Sequence, residues 1–141
     1  MTWPMILAPL FGEVILTFVL LFWLAGLRAP AFRRGEVRPE DVDLRQPNWP
    51  RHTMQVGNSF NSQFELPVLF YVLTILALIT KHADLLFVVL AWAFVLSRLA
   101  HALVHTTSNK LNVRGPLFGL GALVLAIMWL IFIFEIMLHI G

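Results

Sequence analysis

The sequence predicts an all-α integral membrane protein, a four-transmembrane-helix bundle that forms a single domain over residues 1–141. Of the 141 residues, 59% are hydrophobic and only 13% are charged, which is far from the composition of a soluble domain. The apolar residues fall into long runs, and the chain has room for about four spans of ~20 residues with short loops. Cysteine is absent, so any thiol chemistry needs a thiol that a ligand brings.

The first helix is expected at about residues 5–27, an apolar run interrupted only by Glu13 and Thr17. No basic residue precedes it, so we interpret it as a retained span rather than a cleaved signal peptide. Residues 28–53 are expected to form a polar loop, because arginines, acids and prolines alternate there. The interleaved acids leave this loop only modestly basic, which argues against a nucleic-acid partner and favours a solvated cytoplasmic loop.

The second and third helices are expected to carry polar side chains into the membrane. The second, at about 54–80, has a purely apolar part of only ~21 Å, too short to span, so it must include the turns that carry Asn58, Asn61 and Glu65. The third, at about 85–106, is long enough to cross the membrane only if it includes Arg98, His101 and His105. Both sets are spaced i, i+3, i+7, which returns each set to one helix face.

The fourth helix, at about 116–140, is long enough to span the membrane, and Gly115 and Gly119 are expected to serve helix packing. Lysines and arginines are concentrated in the first and third loops, which places those loops in the cytoplasm and both termini on the other side. The two polar stripes then meet in the cytoplasmic half of the bundle. The expected roof of this polar pocket is the loop carrying Asn109, Lys110, Asn112 and Arg114. Two other carboxylates, Glu13 and Glu135, are expected toward the opposite leaflet, away from the pocket.

At this point the residues resemble a known family. The run Arg98-Leu-Ala-His101, with Arg114 sixteen residues after Arg98, resembles helix three and its exit loop in the MAPEG superfamily, the membrane-associated proteins in eicosanoid and glutathione metabolism. Two further stretches agree: Asn61 ahead of Pro67 and Phe70 on helix two, and Pro39-Glu40-Asp41 in the first loop. The resemblance covers nearly the whole chain and points to a divergent, bacterial-type member of the bacterial inner membrane.

This resemblance implies a homotrimer that binds glutathione as co-substrate between subunits, near the cytoplasmic face, and acts as a transferase or peroxidase on a lipophilic small molecule. Arg114 matches the arginine that stabilises the glutathione thiolate, which makes it the expected catalytic residue. The expected substrate-binding residues are Asn58, Asn61, Glu65, Arg98, His101 and His105. Glu65 stands two residues before the proline, closer than the family's glutamate does.

Several positions depart from the family pattern. His105 replaces a tyrosine, Gly115 a serine and Phe118 another tyrosine, and the family's arginine one turn before Asn61 is missing. These losses support an alternative in which a non-catalytic relative keeps the fold for lipid binding or as an accessory subunit of a larger membrane complex.

Two plainer interpretations of the polar stripes also stay open. Arg98 and Glu65 could form an intramembrane ion pair that only fixes helix two against helix three. His101 and His105, at i and i+4, could instead bind a metal with Glu65, although no further histidine or cysteine is available to complete a membrane metal cluster of the kind that uses many histidines.

Overall fold

The computed structural model describes residues 2–44, 48–108 and 111–138, and all the secondary structure within those ranges is helical. Six helices follow one another along the chain: α1 Trp3–Arg33, α2 Pro39–Val42, α3 Arg51–Ser62, α4 Leu66–Ile79, α5 Leu85–Thr106 and α6 Leu111–Leu138. By length and composition they provide four spans, because α3 and α4 together make one. The predicted four-helix membrane bundle is confirmed.

The first helix is longer than the expected 5–27, and the polar segment after it is correspondingly shorter than 28–53. α1 continues through Pro30 to Arg33 because its last turns still pack against the protein: Ala31 is buried, and so is Val37 just beyond the helix. The Pro39-Glu40-Asp41 motif forms the single turn of α2, in which the Asp41 carboxylate accepts the Arg38 N–H at 3.0 Å. Residues 45–47 of the expected loop lie outside the described residues.

The second span is not the continuous helix expected at 54–80. Proline lacks an N–H, and its ring clashes with the carbonyl four residues earlier, so Pro67 interrupts the helix ahead of it. Across the break, the N–H groups of residues 63, 64 and 65 each bond to the carbonyl three residues back, at 3.0 to 3.2 Å. Ser62 therefore ends α3, and its carbonyl lies inside the bundle rather than in a regular helix.

An apolar core fills one end of the bundle and a polar cluster fills the other. The core brings together the start of α1, most of the length of α4, the first half of α5 and the middle of α6. Its buried members are Ile6, Phe70, Leu73, Ala77, Phe87, Val88, Ala91, Phe94, Val95, Leu125 and Met128. The outer surface carries many exposed Leu, Ile, Val and Phe side chains, as a bilayer-facing surface does.

A different glycine from the expected pair serves the packing of α6 on α5. A Cβ on Gly121 would lie 2.9 Å from the Ser97 hydroxyl, so a larger residue there would force the Ser97 side chain or the helix to shift. A Cβ on Gly115 or Gly119 would meet nothing within 4 Å among the described residues. The packing expected of these two glycines has no counterpart in the described parts of the chain.

Candidate functional site

Arg98 forms the centre of the polar end of the bundle. It lies on α5, is 1% exposed, and its Nη2 donates to the Ser62 hydroxyl at 2.8 Å and to the Ser62 carbonyl at 3.3 Å. The guanidinium therefore binds the carbonyl at the end of α3, where the helix break leaves it available. A charged donor makes a stronger hydrogen bond than a neutral one, so this contact fixes the broken second span against α5.

Two histidines that follow Arg98 in the sequence lie on the same buried face of α5. His101 and His105 have ring centroids 5.3 Å apart, and the His101 ring lies 5.8 Å from that of Phe118 on α6. Both are buried, and within the described part of the chain neither Nδ1 has a hydrogen-bond partner. Arg114, half-buried near the start of α6, lies within electrostatic range of both rings. This arrangement places positive charge beside polar ring atoms in a desolvated setting, which suits an anion.

The helix-two stripe does not face this cluster as expected. Asn58, Asn61 and Glu65 are exposed, and the buried polar face of this segment is made instead by Gln55, Ser59, Ser62 and Gln63. The physical reason is that local hydrogen bonds satisfy part of this second set. The Ser62 hydroxyl donates to the Ser59 carbonyl at 2.7 Å, and the Gln63 side-chain amide donates to the same carbonyl at 3.1 Å. Burying a neutral side chain that hydrogen-bonds to its own helix costs less free energy than burying an unpaired amide or carboxylate.

The two asparagines line a separate cavity of ≈ 340 Å³ between α1, α3 and the connecting segment. Arg28 lies in its wall, with its guanidinium carbon 4.8 Å from the centre of the Trp49 ring. The guanidinium also approaches Gly57 closely, since a Cβ there would be 3.5 Å from Nη2. The full lining is Leu24, Arg28, Val42, Trp49, Thr53, Met54, Gly57, Asn58, Phe60 and Asn61. A guanidinium and two amides in one cavity provide the kind of hydrogen-bond donors that bind a carboxylate.

The two plainer interpretations of the polar stripes are an ion pair between Arg98 and Glu65 and a metal site. Glu65 is exposed and lies within electrostatic range of Arg98, but the two form no ion pair within 4.0 Å, and Arg98 binds Ser62 instead. The metal interpretation has no geometric support, because Glu65 is exposed while His101 and His105 are buried. Among the described residues, no three His, Asp or Glu side chains are grouped to hold a metal ion. Asn109 and Lys110 of the expected roof lie outside the described residues, as does the side chain of Asn112.

The placement of Glu13 corrects a further expectation. Its side chain is fully buried inside the bundle and lies within electrostatic range of Arg98, so it belongs to the polar end rather than to the distant leaflet. Glu135, by contrast, lines a small cleft at the opposite end with His82 and Asp84.

Comparison with known proteins decides the family. The model of the MAPEG family matches residues 6–134, which is most of the chain. This chain belongs to the MAPEG family. No curated protein and no solved structure matches it.

Three residues at the polar end of this MAPEG protein were missed by sequence reasoning: Arg28, Ser62 and Glu13. Arg28 was assigned to a loop because the apolar run ends before it. Glu13 carried a usable signal, since the buried positions of α1 include Ile6, Glu13 and Leu20, each seven residues apart. That spacing places the carboxylate on the inward stripe of the helix.

Proposed function

We propose that this MAPEG protein is a glutathione-dependent enzyme that conjugates a lipophilic electrophile or reduces a lipophilic peroxide. The observation that supports the proposal is the position of Arg114 within electrostatic range of the buried His101 and His105. A guanidinium favours the thiolate form of a nearby thiol, and the thiolate is the nucleophile. Because the chain has no cysteine, that thiol belongs to the ligand.

In this proposal the peptide part of glutathione binds in the cavity that contains Arg28. Glutathione carries two carboxylates, and Arg28 with Asn58 and Asn61 offers a cation and two amides for one of them. Arg28 thus supplies a cation where the family's helix-two arginine is missing. In this proposal Arg98, His101, His105 and Glu65 complete the polar surroundings of the bound peptide.

A homotrimer accounts for the separation of these groups. Among the residues that the structure describes, none of α5 or α6 lines the Arg28 cavity, so in this proposal Arg28 and Arg114 of the same chain do not bind the same ligand. Asn58, Asn61 and Glu65 are also exposed on a span whose exposed residues beyond Pro67 are apolar, and exposed polar groups within a span are unfavourable unless another surface covers them. We propose that a neighbouring subunit covers this face, so that glutathione bound in one subunit's cavity places its sulfur near the neighbour's Arg114.

Either proposed reaction needs only glutathione and the lipophilic substrate. In conjugation, the thiolate sulfur forms a bond to the electrophilic carbon, and the leaving group departs with its electron pair. In peroxide reduction, the sulfur attacks one oxygen, the O–O bond breaks, and the alkoxide takes a proton to leave as an alcohol. The resulting sulfenic acid then reacts with a second glutathione to give the disulfide and water.

The site is proposed to face the cytoplasm of a bacterial cell, in the inner membrane, with both termini on the other side. The support is the positive charge at this end of the bundle, including Arg28, Arg33 and Arg114, since cytoplasmic loops are rich in Lys and Arg. A lipophilic substrate would enter sideways from the bilayer, along the exposed apolar surface.

Thiolate absorbance tests the proposal directly. The protein is purified in detergent, glutathione is added, and the ultraviolet band of bound thiolate is recorded for the wild type, Arg114→Ala and the matched control Arg34→Ala. Arg34 is exposed and pairs only loosely with Glu36, at 3.9 Å, so its loss should leave the band unchanged. We expect a band in the wild type and the control and none in Arg114→Ala. No band in the wild type would refute the enzyme assignment.

A non-catalytic role is the second candidate, and Phe118 favours it. The Phe118 ring lies 5.8 Å from the ring of His101 and 6.0 Å from the guanidinium carbon of Arg98. An apolar ring thus packs where relatives carry a hydroxyl, and the polar cluster would then serve packing in an accessory subunit. The same absorbance experiment separates the two candidates.

A further inference from the structure

Glu13 is a fully buried carboxylate in the membrane-spanning part of α1. Its side chain is 0% exposed, and neither carboxylate oxygen has a hydrogen-bond partner among the described residues. The Thr17 hydroxyl donates to the backbone carbonyl of Glu13, at 3.0 Å, and leaves the carboxylate unsatisfied. Tyr71 on α4 also lies within electrostatic range. A charge in such a place is strongly unfavourable unless an opposite charge compensates it.

Arg98 is the cation within electrostatic range of this carboxylate, and the two groups form no ion pair within 4.0 Å. Only Nη2 of Arg98 is used by Ser62; within the described part of the chain, Nε and Nη1 have no hydrogen-bond partner. Glu13 and Glu65 both interact electrostatically with the Arg98 guanidinium, and the interaction with Glu13 is the stronger of the two. Glu65 is exposed, whereas Glu13 is buried with the arginine, and charges attract more strongly where the dielectric constant is low.

Helices α1 and α5 pack closely on each other next to Glu13. Gly12, next to Glu13, faces this contact, since a Cβ there would lie 3.4 Å from Val95 Cγ1 and 3.9 Å from the Trp92 ring. Val95 stands one turn before Arg98 on α5, so the contact places Glu13 beside the same stretch of helix.

We propose that Glu13 is the intramembrane counter-charge of Arg98 and a positioning residue for the polar end of the bundle. The pair joins α1 to α5 and orients the guanidinium toward the Ser62 carbonyl, so that one charge pair holds three segments together: α1, α5 and the break between α3 and α4. This role does not require glutathione and extends beyond the proposed function.

A double-mutant cycle tests the pair. Glu13→Gln and Arg98→Met each leave one buried charge uncompensated, while the double variant leaves none. We measure the folded yield and the midpoint of thermal unfolding in detergent, without glutathione. Each single variant should unfold at a lower temperature than the wild type, and the double variant should lose clearly less than the sum of the two losses. Purely additive losses, or a double variant with no better folded yield than the singles, overturn the proposal.

Glu135 supplies the matched control. It is a half-buried carboxylate on α6 at the other end of the bundle, so Glu135→Gln combined with Arg98→Met should give additive losses. Coupling of the same size in this second cycle would show that rescue is not specific to Glu13, and would also overturn the proposal.

Infrared spectroscopy gives a readout that packing alone does not produce. At mildly alkaline pH, the wild-type spectrum minus that of Glu13→Gln should contain the bands of an ionised carboxylate. The Arg98→Met spectrum minus that of the double variant should contain instead the carbonyl band of a protonated carboxyl group, because the counter-charge is gone. A protonated group in the wild type would refute the charge pair. Since neither measurement involves glutathione, this result stands apart from the outcome of the thiolate experiment.

Discussion

The contact between Arg98 and Ser62 leads to a prediction for Ser62→Ala. The substitution removes the hydroxyl that accepts Arg98 Nη2 at 2.8 Å and donates to the Ser59 carbonyl at 2.7 Å, but it keeps the Ser62 carbonyl, which accepts the same nitrogen at 3.3 Å. Hydrogen bonds to charged groups contribute about 1.5–3 kcal/mol in proteins, whereas side-chain bonds between transmembrane helices average about 0.6 kcal/mol. Because the charged donor keeps one acceptor, we expect Ser62→Ala to lower the free energy of unfolding by about 1–2 kcal/mol.

Ser59→Ala is the matched control for this measurement. Ser59 lies on the same helix, is fully buried, and its hydroxyl has no hydrogen-bond partner among the described residues. Replacing it with alanine removes an unsatisfied polar group, so stability should stay the same or rise slightly. Reversible unfolding in mixed detergent micelles gives both free energies. Equal effects of Ser59→Ala and Ser62→Ala would refute the idea that the guanidinium contact stabilises the helix break.

Two further substitutions test the packing of α6 and the role of Arg28. Gly121→Val should lower the free energy of unfolding by about 1–3 kcal/mol, because its side chain would collide with Ser97 and Arg98. Gly26→Val is the control and should cause no such loss, since a Cβ there would meet nothing within 4 Å. Equal losses for the two variants in the same unfolding assay would contradict this prediction. If the protein uses glutathione, Arg28→Ala should raise KM for glutathione several-fold with little change in kcat, and Arg34→Ala should change neither. A fall in kcat without a change in KM would contradict the binding role given to Arg28.

The fold follows from the sequence because span number depends on simple arithmetic of apolar runs. Because the apolar part of the third span is short, the sequence predicts that Arg98 and His101 lie inside the bundle, and both are buried in the structure. The same arithmetic placed Asn58 and Asn61 within the second span but could not say which way they point. Facing direction depends on which polar side chains satisfy themselves locally, as Ser62 does through the Ser59 carbonyl, and on the helix break that Pro67 imposes.

The candidate site was less predictable because its parts come from distant positions in the chain. Arg28 and Trp49 are separated by twenty residues of polar segment, and only the observed extension of α1 to Arg33 brings them to one cavity. Glu13 was misplaced because its depth was taken from its position along α1 alone. Depth does not reveal that Arg98, 85 residues later, lies on the facing helix.

The break between α3 and α4 has a mechanical consequence. A continuous helix transmits a change of tilt along its whole length, whereas an interrupted helix bends at the interruption. Bilayers differ in thickness, and helices adapt to them by tilting. In this bundle the break separates α4, whose buried face packs in the apolar core, from α3, which Arg98 holds against α5. We therefore expect a change in the tilt of α4 to bend the second span at the break rather than to displace α3 from Arg98.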